Sequence, residues 1–171
     1  MKPTSVFWQG LGLAAAVMAF DQVTKWWIVE RVMQPPRTIP VTSYFNLVMG
    51  WNRGVSFGLF NTDSTINVWF LPLVAIVIII GLVVWLSRTD RFLAAAAIGL
   101  VIGGAVGNLI DRLRFGAVAD FLDFHVAGFH WPAFNVADSG ITVGAVILVL
   151  ESLFGPAEKP NNEPGEGIDS T

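Results

Sequence analysis

The sequence contains no cysteine, so disulfide bonds, thiolate metal ligands and a cysteine nucleophile are all excluded. Charged residues are also scarce: they make up 13% of the 171 residues, about half the fraction of an average soluble domain. The formal net charge is −3, and the chain therefore lacks the basic field that attracts nucleic acid. These absences exclude nucleic-acid binding and every thiol-based chemistry.

Apolar residues are abundant instead, at 54% of the chain, and the mean hydropathy is +0.63. Four runs are long enough to cross a bilayer, and we predict transmembrane helices at residues 7–29, 68–86, 92–110 and 134–154. The first run lacks a small-residue cleavage site, so we expect it to be retained. We predict one integral membrane domain over residues 1–155 and a disordered tail over 156–171.

Glycines at four-residue spacing mark a packing face on the third predicted helix, at Gly99, Gly103 and Gly107. Gly140 and Gly144 repeat that spacing on the fourth helix, so we expect the two helices to pair. The two long connections, 30–67 and 111–133, lie on one side of the bundle. Residues 37–51 of the first are rich in strand formers and predict one or two short strands. The predicted fold is an all-α membrane protein with a small β-sheet cap.

Polar residues collect where the spans meet these two connections. Asp21 and Lys25 are four apart on one helix, a spacing that predicts an internal ion pair. Asn108, Asp111 and Arg112 share a face at the end of the third helix, where Arg112 could hold a carboxylate or backbone carbonyls. We expect Asp111 to have a mainly structural role.

The remaining polar residues have ordinary explanations. Asp123 and His125 are expected to be surface residues of the second connection. His125 and His130 lack a third ligand and make a weak zinc signal, so we expect no metal. Glu151 lies near the opposite membrane face, where its side chain can reach water.

Asp120 and Asp138 differ because each lies among apolar neighbours without a basic residue within one helical turn. Two facing carboxyl groups can share a proton, and one then accepts a proton while the other donates. This arrangement suits peptide hydrolysis by activated water. A proton-coupled transporter or channel also employs intramembrane carboxylates, and spacing alone leaves the two functions open.

Five motifs in register decide between them: FDQVTK (20–25), NRGVSF (52–57), GGAVGNLIDR (103–112), VADF (118–121) and FNVADS (134–139). Together they make the chain resemble lipoprotein signal peptidase, also called signal peptidase II, over residues 7–155. The resemblance implies a catalytic pair, Asp120 and Asp138. The other residues that match family positions are Asp21, Lys25, Asn52, Gly54, Gly104, Asn108, Arg112, Asn135 and Ala137.

That resemblance also implies a substrate and a location. The substrates are diacylglyceryl-modified prolipoproteins, cleaved on the amino side of the lipidated cysteine, and no cofactor is needed. The protein is expected as a monomer in the bacterial inner membrane, with cytoplasmic termini and an extracytoplasmic site. The distribution of Lys and Arg alone points to the opposite orientation. A short periplasmic helix, acting as a lid, is expected near residues 57–61.

Overall fold

The computed structural model describes residues 4–54 and 65–154. Helix α1 (Ser5–Trp27) continues through a π-helical turn (Ile28–Val32). The remaining elements are β1 (Ile39–Pro40), β2 (Phe45–Asn52), α2 (Thr65–Ser87), α3 (Phe92–Phe115), β3 (Val118–Val126), β4 (Phe129–His130) and α4 (Val136–Phe154). The helix expected near residues 57–61 and the tail at 156–171 lie outside the described residues.

Four helices in the described part of the chain are long and apolar enough to cross a membrane, which confirms the predicted fold class. Helix α3 runs beyond the predicted end at residue 110. The predicted end marked the point where the sequence becomes polar, but polar residues can continue a helix. The helix itself ends at Gly116. Gly116 has φ +69° and donates its N–H to the carbonyl of Arg112 at 3.0 Å, which is a left-handed C-terminal cap.

Helix α3 lies at the centre of the bundle, in contact with α1, α2 and α4. Gly99 and Gly103 face α1, where a Cβ atom on either glycine would overlap a backbone carbonyl. Gly104, one position away, faces α4 in the same manner. The predicted pairing of α3 with α4 is confirmed, while the Gly99 and Gly103 face packs against α1. Small residues therefore let α3 approach two helices closely.

A four-stranded antiparallel sheet in the order β1-β2-β3-β4 lies beside the bundle. The strands predicted within residues 37–51 are confirmed as β1 and the greater part of β2. Strand β3 was not predicted, although it forms the longest strand of the sheet. Ile28, Met33 and Phe121 are buried together and join the end of α1 to this sheet. The sheet therefore has a fixed position relative to the helices.

At the other end of α3 and α4, the expectation for Glu151 was wrong. Its side chain is 7% exposed and forms an ion pair with Arg91, with Nη2 and Oε1 2.9 Å apart. Arg91 directly precedes α3 and is half-exposed, so it reaches across to the last turns of α4. The carboxylate is therefore paired within the protein and does not extend into water.

Candidate active site

Asp120 and Asp138 come from different elements and meet at one residue, Asn135. Asp120 lies in β3 and is 5% exposed, and Asp138 lies in the first turn of α4. The side-chain Nδ2 of Asn135 donates to Asp120 Oδ1 at 2.7 Å. The backbone N–H of Asn135 donates to Asp138 Oδ2 at 3.2 Å. The two carboxylates predicted to form a pair are thus brought together by one bridging residue.

Two further asparagines donate hydrogen bonds to the remaining carboxylate oxygens. Asn52, at the end of β2, donates to Asp120 Oδ2 at 3.1 Å. Asn108, on α3, donates to Asp138 Oδ1 at 2.8 Å. Each of the four oxygens therefore accepts a hydrogen bond from an amide. Amide donors partly offset the cost of burying the carboxylates, because hydrogen bonds stabilise their ionised form.

Asn135 also caps helix α4, and this cap fixes Asp138. Asn135 Oδ1 accepts the backbone N–H of Asp138 at 2.9 Å, while Asp138 Oδ2 accepts that of Asn135. The exchange has the form of a capping box, with Asp138 in the place of the usual Glu or Gln. The cap therefore holds the Asp138 side chain in the first turn of α4.

A buried charge cluster, consisting of Asp21, Gln22, Lys25 and Asp111, lies between α1 and α3. Lys25 Nζ is 2.9 Å from Asp21 Oδ2 and 2.8 Å from Asp111 Oδ2. The side chains of Asp21, Lys25 and Asp111 are at most 4% exposed. The ion pair predicted between Asp21 and Lys25 is confirmed, and Asp111 is a second partner of the same ammonium group.

This buried charge cluster also contacts the two elements that carry Asp120 and Asp138, the pair called the dyad below. Asp21 Oδ1 accepts the backbone N–H of Ala137 at 2.9 Å, next to Asp138. Asp111 Oδ2 accepts the N–H of Ala119 at 3.2 Å, next to Asp120. Gln22 Nε2 joins the two helices by donating to Asp111 Oδ1 at 2.9 Å and to the carbonyl of Gly107 at 3.1 Å.

Arg112 contacts backbone carbonyls, one of the two possibilities expected from its position. Its Nη2 donates to the carbonyl of Gly54 at 3.1 Å, and its Nη1 to that of Asn108 at 3.4 Å. The N–H of Gly54 in turn donates to Asn52 Oδ1 at 3.1 Å. Arg112 therefore supports the segment that presents Asn52 to Asp120.

Gly104 and Ala137 form the close contact between α3 and α4 immediately beside Asp138. A Cβ atom on Gly104 would overlap the carbonyl oxygen of Ala137 and would lie 2.8 Å from Ile141 Cγ1. Ala137 is fully buried. The spacing of these two helices therefore limits where the first turn of α4, and with it Asp138, can lie.

The environment of Asp120 changes its acidity. Burial, together with the nearby charge of Asp138, raises the pKa of Asp120 to about 6. Hydrogen bonds from Asn52 and Asn135 act in the opposite direction but do not outweigh burial. As the pH falls from neutrality, Asp120 therefore takes up a proton well before an ordinary aspartate does.

The expectation that Asp123 is a surface residue was wrong. It lies on β3 and is only 6% exposed. Its carboxylate accepts a hydrogen bond from Asn46 Nδ2 at 2.8 Å and lies 2.9 Å from His130 Nδ1. Burial alone would raise the pKa of Asp123, but these hydrogen bonds and the nearby histidines leave that pKa below its usual value. In the described part of the chain, no group of three or more His, Cys, Asp or Glu residues could hold a metal ion.

Sequence reasoning also left out Gln22. The charges of Asp21 and Lys25, in the same motif, indicate a specific role, whereas an uncharged amide near the end of an apolar helix does not. The available signal was position: a long polar side chain within a membrane span needs a hydrogen-bonding partner inside the protein. Asn46 has no comparable signal, because its partner Asp123 is 77 residues away in the sequence.

An apolar four-helix bundle, with two aspartates at one end that accept hydrogen bonds from the same asparagine, defines the class: a membrane protein with a buried acidic site. The sequence model of the family described as "Signal peptidase (SPase) II" matches residues 13–154. The chain therefore belongs to the signal peptidase II family, whose members are proteases.

Individual relatives agree with this assignment. A lipoprotein signal peptidase of Methylorubrum extorquens (strain PA1) is 41% identical, over 93% of this chain and 94% of the relative. One of Azoarcus sp. (strain BH72) is 45% identical, over 90% and 88% respectively. A solved bacterial membrane enzyme is similar in structure, with a TM-score of 0.78, 28% identity and 99% coverage of both chains.

Proposed function

We propose that this protein is an aspartic endopeptidase that removes signal peptides from diacylglyceryl-modified prolipoproteins, on the amino side of the lipidated cysteine. Family membership and relatives named lipoprotein signal peptidase support the substrate class. One observation carries the mechanism: Asn135 donates hydrogen bonds to Asp120 and Asp138 at the same time, so one residue holds the two carboxylates close together.

In the proposed reaction, Asp138 is the general base and Asp120 the general acid. Asp138 lies in the first turn of α4, and its two oxygens accept hydrogen bonds from Asn108 and from the backbone N–H of Asn135. Burial and the charge of Asp138 raise the pKa of Asp120 to about 6, so we assign the proton of the pair to Asp120. A bound substrate that excludes water would raise the pKa of Asp120 further, as burial does.

The proposed steps balance without a covalent acyl-enzyme. Asp138 takes a proton from water as the water oxygen bonds to the peptide carbonyl carbon. Protonated Asp120 donates a hydrogen bond to the developing oxyanion and then gives its proton to the leaving amine as the C–N bond breaks. The proton held by Asp138 then passes to Asp120, and this transfer restores the starting protonation state of the pair. No metal or organic cofactor takes part.

The proposed location is the bacterial inner membrane, with both termini cytoplasmic and the dyad near the extracytoplasmic face. We propose that the protein acts as a monomer surrounded by lipid. The dyad and the sheet share one end of the bundle, which supports a site that polypeptide substrates reach at the membrane surface. The alternative function, a proton-coupled transporter or channel, receives less support, because Glu151 at the other end of the bundle is paired with Arg91.

The test is cleavage of a diacylglyceryl-modified prolipoprotein by purified variants, read by gel shift. Asp120→Asn and Asp138→Asn are each expected to lose more than about a hundredfold in rate, because each removes one proton-transfer group. Asp123→Asn is the matched control, since it changes another buried carboxylate of β3. Folding is checked by thermal unfolding in detergent.

The control variant is expected to keep its rate within about threefold of the wild type. Wild-type cleavage by folded Asp120→Asn or folded Asp138→Asn would rule out the dyad and return the transporter or channel function to consideration.

A further inference from the structure

The ammonium group of Lys25 has three buried acceptors. Besides Asp21 Oδ2 and Asp111 Oδ2, it donates to Asn108 Oδ1 at 2.9 Å. An ammonium group has three N–H donors and no acceptor, so these three contacts use its full capacity. Lys25 is 4% exposed. The three acceptors therefore occupy the positions that water would take on an exposed lysine.

This contact determines which way the side-chain amide of Asn108 points. An ammonium group cannot accept a hydrogen bond, so only the oxygen of the amide can face it. Asn135 Nδ2 donates to that same oxygen at 3.2 Å. The NH₂ group of Asn108 must then point away, and it lies 2.8 Å from Asp138 Oδ1. The charge on Lys25 thus dictates that Asn108 presents a donor to the dyad.

The two carboxylates that bind the Lys25 ammonium group also accept hydrogen bonds from the backbone. Asp111 accepts the N–H of Ala119, adjacent to Asp120, and Asp21 accepts the N–H of Ala137, adjacent to Asp138. One buried cation is therefore connected through its acceptors to a side-chain donor of the dyad and to both elements that carry it. The contact with Asn108 also satisfies the third N–H of the ammonium group, so catalytic measurements are needed to separate positioning from a purely structural role.

From these contacts we infer that Lys25 and Asp111 are positioning residues of the dyad: Lys25 sets the orientation of the Asn108 amide, and Asp111 holds Lys25 and β3 in register. This inference rests on the proposed function. Neither residue touches the reacting atoms. The charged groups that interact with Asp138 include Asp120 on β3 and Arg112 on α3, and the variants below leave both unchanged.

The experiment compares pH profiles of kcat and kcat/KM for purified variants on the lipidated precursor. Lys25→Met/Asp21→Asn removes the ammonium group while keeping the net charge of the buried cluster. We expect kcat to fall about ten- to a hundredfold, because the ionised dyad loses a correctly oriented donor. The acidic limb should move to higher pH, and KM should change little. Lys25→Gln/Asp21→Asn has the same net charge but keeps an uncharged donor toward Asn108, so it should move the limb in the same direction but less far.

Arg114→Met is the matched control, since it removes an exposed cation at the same end of α3. It should leave both profiles unchanged. A folded Lys25 variant with the wild-type acidic limb and a reduced melting temperature would overturn the inference and make the cluster merely structural. Failure of both Lys25 variants to fold would do the same. Failure of the proposed function would appear separately, as cleavage by Asp120→Asn.

Discussion

Amides donate a hydrogen bond to every carboxylate oxygen of the dyad. Asn52, Asn108 and Asn135 donate all the side-chain hydrogen bonds described for Asp120 and Asp138. Two cations close to the dyad are directed to other acceptors: Arg112 to carbonyl groups and Lys25 to Asp21, Asp111 and Asn108. A cation bonded directly to either carboxylate would favour ionisation of both. Neutral donors orient the oxygens and still allow one proton to be shared.

At the residue scale, the raised pKa of Asp120 predicts a pH-dependent stability. Because this pKa is about 6 in the folded state and ordinarily 3.8, ionisation costs more in the folded than in the unfolded protein. The contribution of Asp120 is therefore fully present below pH 4 and is lost as the pH rises through 6. A pKa difference of about two corresponds to roughly 3 kcal/mol at most.

The measurement is the unfolding free energy of wild type minus that of Asp120→Asn, in detergent, from pH 4 to pH 7.5. We expect this difference to decrease by up to about 3 kcal/mol, mainly between pH 4 and 6. Because asparagine does not titrate, subtracting the Asp120→Asn value removes the pH dependence that other acidic groups give to both proteins. A difference that is constant or increases with pH would contradict the raised pKa.

At the element scale, the helices could be predicted from the sequence and half of the sheet could not. Long apolar runs specify membrane helices by composition, since every backbone group must be bonded within the segment. Strand β3 has no such signal, because its residues 118–121 are all buried and do not alternate between buried and exposed. Its pairing with β2, from Phe45↔Phe124 to Asn52↔Val118, joins segments far apart in sequence.

The same distinction applies to the site. Asp120 and Asp138 could be singled out because a carboxylate among apolar residues is costly wherever it lies. Asp123 could not, because its burial depends on Asn46 of the neighbouring strand. Motif resemblance supplied the remaining site residues, while their contacts, such as the Lys25 ammonium facing Asn108, required the folded chain.

The close approach of α3 and α4 gives an element-scale prediction for Gly104→Ala. The new methyl group would overlap Ala137 of α4, beside Asp138, so the first turn of α4 must move. We expect a loss of about 1–3 kcal/mol in stability and at least about a tenfold loss in cleavage rate. Gly81→Ala on α2 is the matched control, because a Cβ atom there meets nothing within 4 Å.

The readouts for this pair are melting temperature in detergent and kcat on the lipidated precursor. Gly81→Ala should match or slightly exceed the wild type in stability, since alanine is the better helix former. Equal activity of Gly104→Ala and Gly81→Ala would show that the spacing of α3 and α4 does not position Asp138.

At the scale of the whole molecule, buried polar groups occupy both ends of the α3 and α4 pair and serve different purposes. The dyad end combines several carboxylates with asparagines and Lys25, whereas the other end has the Arg91 and Glu151 ion pair. The second pair touches neither the sheet nor the dyad. Stability and catalysis should therefore be separable by substitutions at opposite ends of the bundle.

Arg91→Ala tests this separation. It leaves a mostly buried Glu151 without its partner and should cost about 1–2 kcal/mol, less than for a fully buried pair because Arg91 is half-exposed. Arg91→Ala/Glu151→Leu removes both charges and should restore the melting temperature, because an apolar side chain can replace a buried ion pair. Both variants should cleave the lipidated precursor at the wild-type rate. A fall in kcat that persists in the stable double variant would mean that this end of the bundle acts on the distant dyad, and the two ends would then have to be treated as one coupled unit.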